Sequence, residues 1–325
     1  MDLLTTPLHD AFAPIALSYV LAAIGLNIHY GYTGLLNFGQ AAFAAVGAYG
    51  MAVLIVSFDV PLVPALLLGL VGAVLLALVM GLPTLRLRAD YLAIVTIAVA
   101  EIARLIFSTS FKSYFNARDG VQGFTADFRA LNPYPEDAGG FLGFSRNDLW
   151  VVTVGWVLVA FVLVFVALLM RSPWGRVLKS IREDEDAVRS LGKNVYSYKL
   201  QALILGGVIG AMGGFIGALG KGSVQPDSFN TDFTFIAFTM LILGGAARVM
   251  SPVVGAVLFW FLLTFMDVLL KRISGDDGFV PSWLLNPDQT GNVRFMIVGL
   301  VLMLLMIFRP QGIFGDKKEL AIDAR

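Results

Sequence analysis

Long apolar stretches separated by short polar ones set the plan of this chain. Runs near Ile15 to Tyr30, Ala41 to Ser57, Val60 to Leu82, Tyr91 to Phe107 and Leu149 to Met170 are followed by four more. These are Leu200 to Gly220, Phe233 to Ala247, Val249 to Met266 and Phe295 to Phe308. About 20 helical residues cross a hydrocarbon core, so each run predicts a membrane-spanning helix. The runs at 233 and 295 are short and need flanking residues or burial among neighbours to serve. The expected fold is all-α, a polytopic membrane helix bundle of about nine transmembrane helices.

Composition narrows the function classes. The chain is 58% hydrophobic and 14% charged, with mean hydropathy +0.80, against roughly 25% charged residues in soluble domains. A net charge of zero says little about partners, and nothing points to nucleic acid. With no cysteine, disulfides, Cys-ligated zinc and a thiol nucleophile are excluded. His9 and His29 are the sole histidines, too few for a histidine-built metal or catalytic centre. No HExxH or GxSxG stands in the chain, so an intramembrane enzyme finds no support and no cofactor is expected. Gly220-Lys221-Gly222-Ser223 fails as a phosphate loop: Phe215 stands where a glycine is needed, and Gly222 where Ser or Thr must follow the lysine. If ATP drives this chain, another subunit binds it.

Lys and Arg set the orientation. With nine spans, segments 83–90, 171–199, Arg248 and 309–325 share one side and carry 14 Lys/Arg, against eight on the other. That reading puts the N-terminus outside and the C-terminus in the cytoplasm. The first 85 residues contain no Lys or Arg, which agrees. The stretch MDLLTTPLHDAFAP lacks the positive region of a secretory signal and is read as mature sequence. The expected organisation is one transmembrane domain over 1–325, with an extracytoplasmic loop 108–148, a cytoplasmic loop 171–199 and a cytoplasmic tail 309–325.

Four segments carry candidate chemistry. Asn27 to Gln40, NIHYGYTGLLNFGQ, sets polar residues and glycines between two apolar runs without a charge. It reads either as a discontinuous helix lining a solute path, with Asn27, Thr33, Asn37 and Gln40 facing it, or as a tight cytoplasmic turn. Glu101 and Arg104, three residues apart, share a helix face and form an intramembrane ion pair; a charge at that depth is costly enough to be a functional candidate as well. Gly206, Gly210, Gly213, Gly214 and Gly217 recur at helical spacing and suit close helix packing, or a hinge. The charged interruption Arg171 to Lys199 holds seven Lys/Arg and four Asp/Glu. Within it, 182–192 reads as a short amphipathic helix with Ala187, Val188 and Leu191 on one face and Gly192 as its stop. Such a helix suits a partner's groove, although a solvated loop is the commoner outcome.

The strings themselves resemble a known family. GRVLKSIREDEDAVRSLGKNVYSYKLQALILGG, GYTGLLNFGQAAFAAVGAY, LRADYLAIVTIAVAEIARLI and the tail block RPQGIFG are similar, in order, to blocks of permeases from branched-chain amino-acid ABC importers, of the LivM type. The resemblance implies a permease that works with a second permease subunit, two cytoplasmic ABC ATPase subunits and an extracytoplasmic solute-binding protein. It implies coupling to the ATPase through 182–192, with Arg182, Glu183, Glu185, Ala187, Leu191 and Gly192 as candidates. The solute it implies is Leu, Ile or Val. Urea or short-chain amides on the same fold, and an ion-coupled secondary amino-acid transporter, are the alternatives. Two departures stand: Gly192 follows Glu185 by seven residues where the family's pattern has six, and the chain begins close to the first family span.

Overall fold

The computed structural model describes residues 3–87, 89–110, 112–116, 119–136, 140–274, 290–309 and 311–315. Most of the expected tail 309–325 therefore lies outside the described residues. The helices are α1 (Thr5–Phe12), α2 (Pro14–Leu26), α3 (Gln40–Phe58), α4 (Leu62–Thr84), α5 (Ala89–Thr109), α6 (Lys112–Phe115), α7 (Ala126–Ala130) and α8 (Arg146–Arg171). They continue with α9 (Pro173–Glu183), α10 (Glu185–Ser190), α11 (Val195–Lys221), α12 (Thr231–Gly244), α13 (Ser251–Ile273) and α14 (Thr290–Phe308).

Among the described residues, seven helices are long and apolar enough to cross a membrane, and α12 and α14 add two shorter apolar ones. The 14 residues of α12 reach about 21 Å at 1.5 Å per residue, short of a hydrocarbon core of about 30 Å. Helix α11 has 27 residues and extends beyond the apolar run at its start, because Asn194 caps it by accepting the Ser197 N–H. Helix α8 likewise starts on Ser145, whose hydroxyl accepts the Asp148 N–H.

Small residues decide which helices meet in the middle. Helix α2 is buried along nearly its whole length, and α11 lies against it. A Cβ on Gly213 would stand 2.6 Å from the Ser18 carbonyl oxygen, so the two backbones touch there. Around this pair α3, α4, α8, α12 and α13 close the bundle. Their outer faces carry apolar stripes such as Val63, Leu67, Val71, Leu75 and Val79 on α4, and Val157, Phe161, Val164 and Leu168 on α8. In water such stripes would be a liability; in a bilayer they face lipid tails.

Contacts group the connections into two ends. At one end the Tyr196 hydroxyl donates to the Leu82 carbonyl (2.9 Å) and Ile313 N–H donates to the Leu243 carbonyl (3.0 Å). At the other, β1 (Val121–Gln122) pairs antiparallel with β2 (Ser223–Val224), and Phe58 stacks on Tyr114. The segment 119–136, rich in Gly, Pro and other turn residues, is folded against α8: the Trp150 indole N–H donates to the Phe128 carbonyl, and the Arg146 Nε–H to that of Tyr134.

Candidate functional site

Helix α2 widens into a π-helical turn, Asn27–Tyr32, and then gives way to coil before α3 begins at Gln40. The break starts at the exposed Gly34 and ends at the buried Gly39 and Gln40. Gly39 packs against Met80 and the Thr96 carbonyl, which lie inside α4 and α5. Backbone at that depth has no water to satisfy it, so side chains must. Phe38 N–H donates to the Thr96 hydroxyl (3.0 Å) and Ala41 N–H to the Thr234 hydroxyl (2.9 Å).

The polar residues of NIHYGYTGLLNFGQ supply the rest. Asn37 Oδ1 accepts the Gly39 N–H at 2.8 Å, and its amide nitrogen lies 3.0 Å from His29 Nδ1. His29 Nε2 lies 3.1 Å from the Leu203 carbonyl oxygen. A carbonyl only accepts, so Nε2 carries the ring proton and Nδ1 accepts from Asn37. The neutral imidazole thus completes a chain of three hydrogen bonds from the break to α11, with both side chains fully buried. Asn27 grips the turn after α12, accepting the Ala247 N–H (2.9 Å) and donating to the Arg248 carbonyl (2.8 Å). Thr33 donates to the Ile28 carbonyl, and Gln40 donates from Nε2 to the carbonyls of Ala22 and Gly206. Gln40 Oε1 has no partner in this conformation.

The four residues expected to face a path are therefore each 2% exposed or less and bonded to backbone. Residues so covered within one chain do not form its outer surface. The break does present Leu36 and Phe38, both half-buried, and Phe38 stacks near Phe235 and Phe238 of α12.

The expected helix over 182–192 is two helices. Asp184 adopts an extended backbone, ends α9, and starts α10 by accepting the Ala187 N–H at 2.9 Å. Arg182 and Glu183 thus close the first helix, while Glu185 and Ala187 open the second. The expected apolar face is reduced to Val188: Ala187 is exposed and Leu191 is 80% exposed. Gly192 has φ +77°, the left-handed conformation in which a side chain would be strained. Glu185 bonds Arg189 within α10 and Lys199 on α11, anchoring the short helix.

Helix α9 reaches the break. Arg182 Nη1 donates to the Gly31 carbonyl at 2.6 Å, and Lys179 stands 5.7 Å from the centre of the Tyr32 ring. Gly34, at φ +73°, faces the Arg182 stem. Direct contacts therefore run from the charged segment to the π-helical turn.

The glycines of α11 hold the other side. Gly206 meets Gly25 and His29, Gly210 meets Gln40, Gly214 meets the Ala44 carbonyl, and Gly213 and Gly217 meet Ser18. Glu101 and Arg104 pair on α5, with Arg104 Nε 3.1 Å from both carboxylate oxygens. Arg104 also reaches Asp227 at 2.9 Å, a partner 123 residues away that local spacing does not reveal. His29, Thr96 and Thr234 were likewise not foreseen; His29 stood in the right segment, but the two threonines are brought in only by the fold.

Residues 10–308 match the family model described as a branched-chain amino acid transport system permease component. The chain belongs to this permease family. Among relatives, the permease is 25% identical to a probable branched-chain amino acid transport permease protein LivM of Methanocaldococcus jannaschii, covering 92% of this chain and 91% of that one. It is 28% identical to the high-affinity LivM permease protein of Escherichia coli, over 93% of this chain and 68% of that one. The ribose import permease protein RbsC of Escherichia coli is 26% identical, over 71% of this permease and 76% of the relative.

Proposed function

We propose that this chain is one of two permeases in an ATP-driven importer of branched-chain amino acids, and that α9 and α10 are its levers. The observation that carries the reading is the Arg182 to Gly31 hydrogen bond, since it ties the charged segment to a place where a buried helix is already broken. The exposed Leu191 and the charged flank of α10 would seat in a groove on a cytoplasmic ATPase, and movement of that subunit would pull on α9. Nine crossings, with the N-terminus outside and the C-terminus cytoplasmic, fit the two-ended grouping of contacts and the Lys/Arg bias. A second permease, two ATPases and an external binding protein complete the assembly in this reading.

We assign Asn27, Thr33, Asn37 and Gln40 to bracing the break. The path is better served by the surface from Leu36 and Phe38 to Phe235, which is 46% exposed on this chain and apolar like the side chains of Leu, Ile and Val. With no dedicated charge site there, selection falls mainly to the binding protein. The test is uptake of labelled leucine by cells with and without the gene, with isoleucine, ribose, urea and a short amide as competitors and an uncoupler as control. ATP-dependent leucine uptake that disappears with the gene supports the reading. Loss of ribose, urea or amide uptake alone keeps the permease and reassigns its solute.

A further inference from the structure

A cleft of about 500 Å³ opens beside the end of α8 nearest the charged segment. Its wall is apolar, formed by Leu163, Val164, Ala167, Met170 and Met250. Val164 is 60% exposed and belongs to the stripe that α8 turns outward. The rim is basic: Arg171 ends α8, Lys179 comes from α9, and Arg248 comes from the turn after α12. No acidic residue lines the cleft, and Arg171 and Lys179 have no acidic partner among the described residues.

Arg171 and Lys179, from two successive helices, repel one another and ask for an anion. The cleft combines that demand with a greasy groove running up α8 from its end. From Leu163 to Arg171 the helix rises about 12 Å, which suits the upper part of an acyl chain beneath a headgroup. We propose that this cleft binds an anionic phospholipid, with the phosphate between Arg171 and Lys179 and a tail along Leu163, Val164 and Ala167. The site bridges α8, the lever α9 and the turn that Asn27 holds, so a bound lipid would tie the lever to the bundle. A soluble phosphate would use the rim but leave the groove empty, and an acidic ATPase loop would not need the apolar wall. The inference requires only that this end of α8 lie at a membrane surface, and stands apart from the identity of the solute.

The experiment is native mass spectrometry of the purified permease complex released from micelles containing dioleoyl phosphatidylglycerol or dioleoyl phosphatidylcholine. The wild type is expected to retain phosphatidylglycerol at least tenfold over phosphatidylcholine. The double variant Arg171→Gln/Lys179→Gln loses that preference, and the charge-keeping Arg171→Lys/Lys179→Arg restores it, which separates a lost site from a misfolded chain. Equal retention of the two lipids by the wild type overturns the proposal. So does undiminished phosphatidylglycerol in a folded Gln variant. Displacement of the lipid by millimolar inorganic phosphate, or by adding the ATPase subunits, also overturns it, marking a bare anion site or an ATPase dock.

Discussion

Replacing Asn37 by Leu removes the middle of the His29–Asn37–Gly39 chain while nearly keeping side-chain volume. Two buried groups lose their partners: the Gly39 N–H, which donates at 2.8 Å, and His29 Nδ1, which accepts at 3.0 Å. Neither can reach water, since His29 and Asn37 are fully buried. Leaving a buried donor or acceptor unsatisfied costs about 1–3 kcal/mol each, so the pair costs roughly 2–6 kcal/mol. At about 2–4 °C per kcal/mol for a large domain, the thermal midpoint in detergent should fall by roughly 4–24 °C. Asn37→Asp separates the two losses. Its carboxylate still accepts from Gly39, but it has no proton to give Nδ1, and two acceptors then face each other. A protonated His29 would cure that by donating from Nδ1, so the Asp variant's deficit should shrink as pH falls, while the Leu variant's should not. The readout is the midpoint measured by size-exclusion fluorescence across a pH series. A Leu variant within about 0.5 kcal/mol of wild type, the range of an inconsequential surface change, refutes the bracing role, and so does an Asp deficit that does not move with pH.

Three further outcomes follow from the same geometry. Gly214→Ala drives a methyl group into the Ala44 carbonyl and should destabilise by about 1–3 kcal/mol, seen as a lower melting midpoint; an unchanged midpoint would show that α3 and α11 can part freely. Glu101→Gln breaks a half-exposed pair with Arg104 and should cost at most about 1 kcal/mol in the folded chain. Uptake by that variant should keep the wild-type pH profile, and a profile flattened by the substitution would revive an ion-coupled transporter. Leu191→Asp changes a residue 80% exposed, so the midpoint should stay within about 0.5 kcal/mol of wild type. Co-purification of the ATPase should drop sharply, and full recovery would remove Leu191 from the docking surface.

Most of the bundle was readable because each spanning helix needs a long apolar run and the chain has few others. Helix ends were less so. Helix α11 starts at Val195 rather than near Leu200, since Tyr196 and Lys199 find polar partners on α4 and α10, and apolar content does not register that. The split at Asp184 was legible in principle: an aspartate followed by Glu185 and Asp186 is a helix start with acidic residues in its first turn. A continuous charged run concealed it. The break at 33–39 was legible as polar, but its place inside the bundle depends on Thr96 and Thr234, which no local pattern links to Phe38 or Ala41. Side chains that brace a backbone and side chains that greet a solute look alike in sequence, so the residue types of the break do not by themselves assign its role.

The central claim is that the ATPase acts on the membrane through α9 and the Arg182–Gly31 contact. The direct measurement is ATP hydrolysis and solute uptake, side by side, in proteoliposomes holding the full importer with wild-type permease, Arg182→Ala or Lys271→Ala. Arg182→Ala should assemble and hydrolyse ATP while uptake falls at least tenfold, and Lys271→Ala, which removes a surface pair on α13, should retain most of both. Uptake by Arg182→Ala that keeps pace with its hydrolysis would contradict the account.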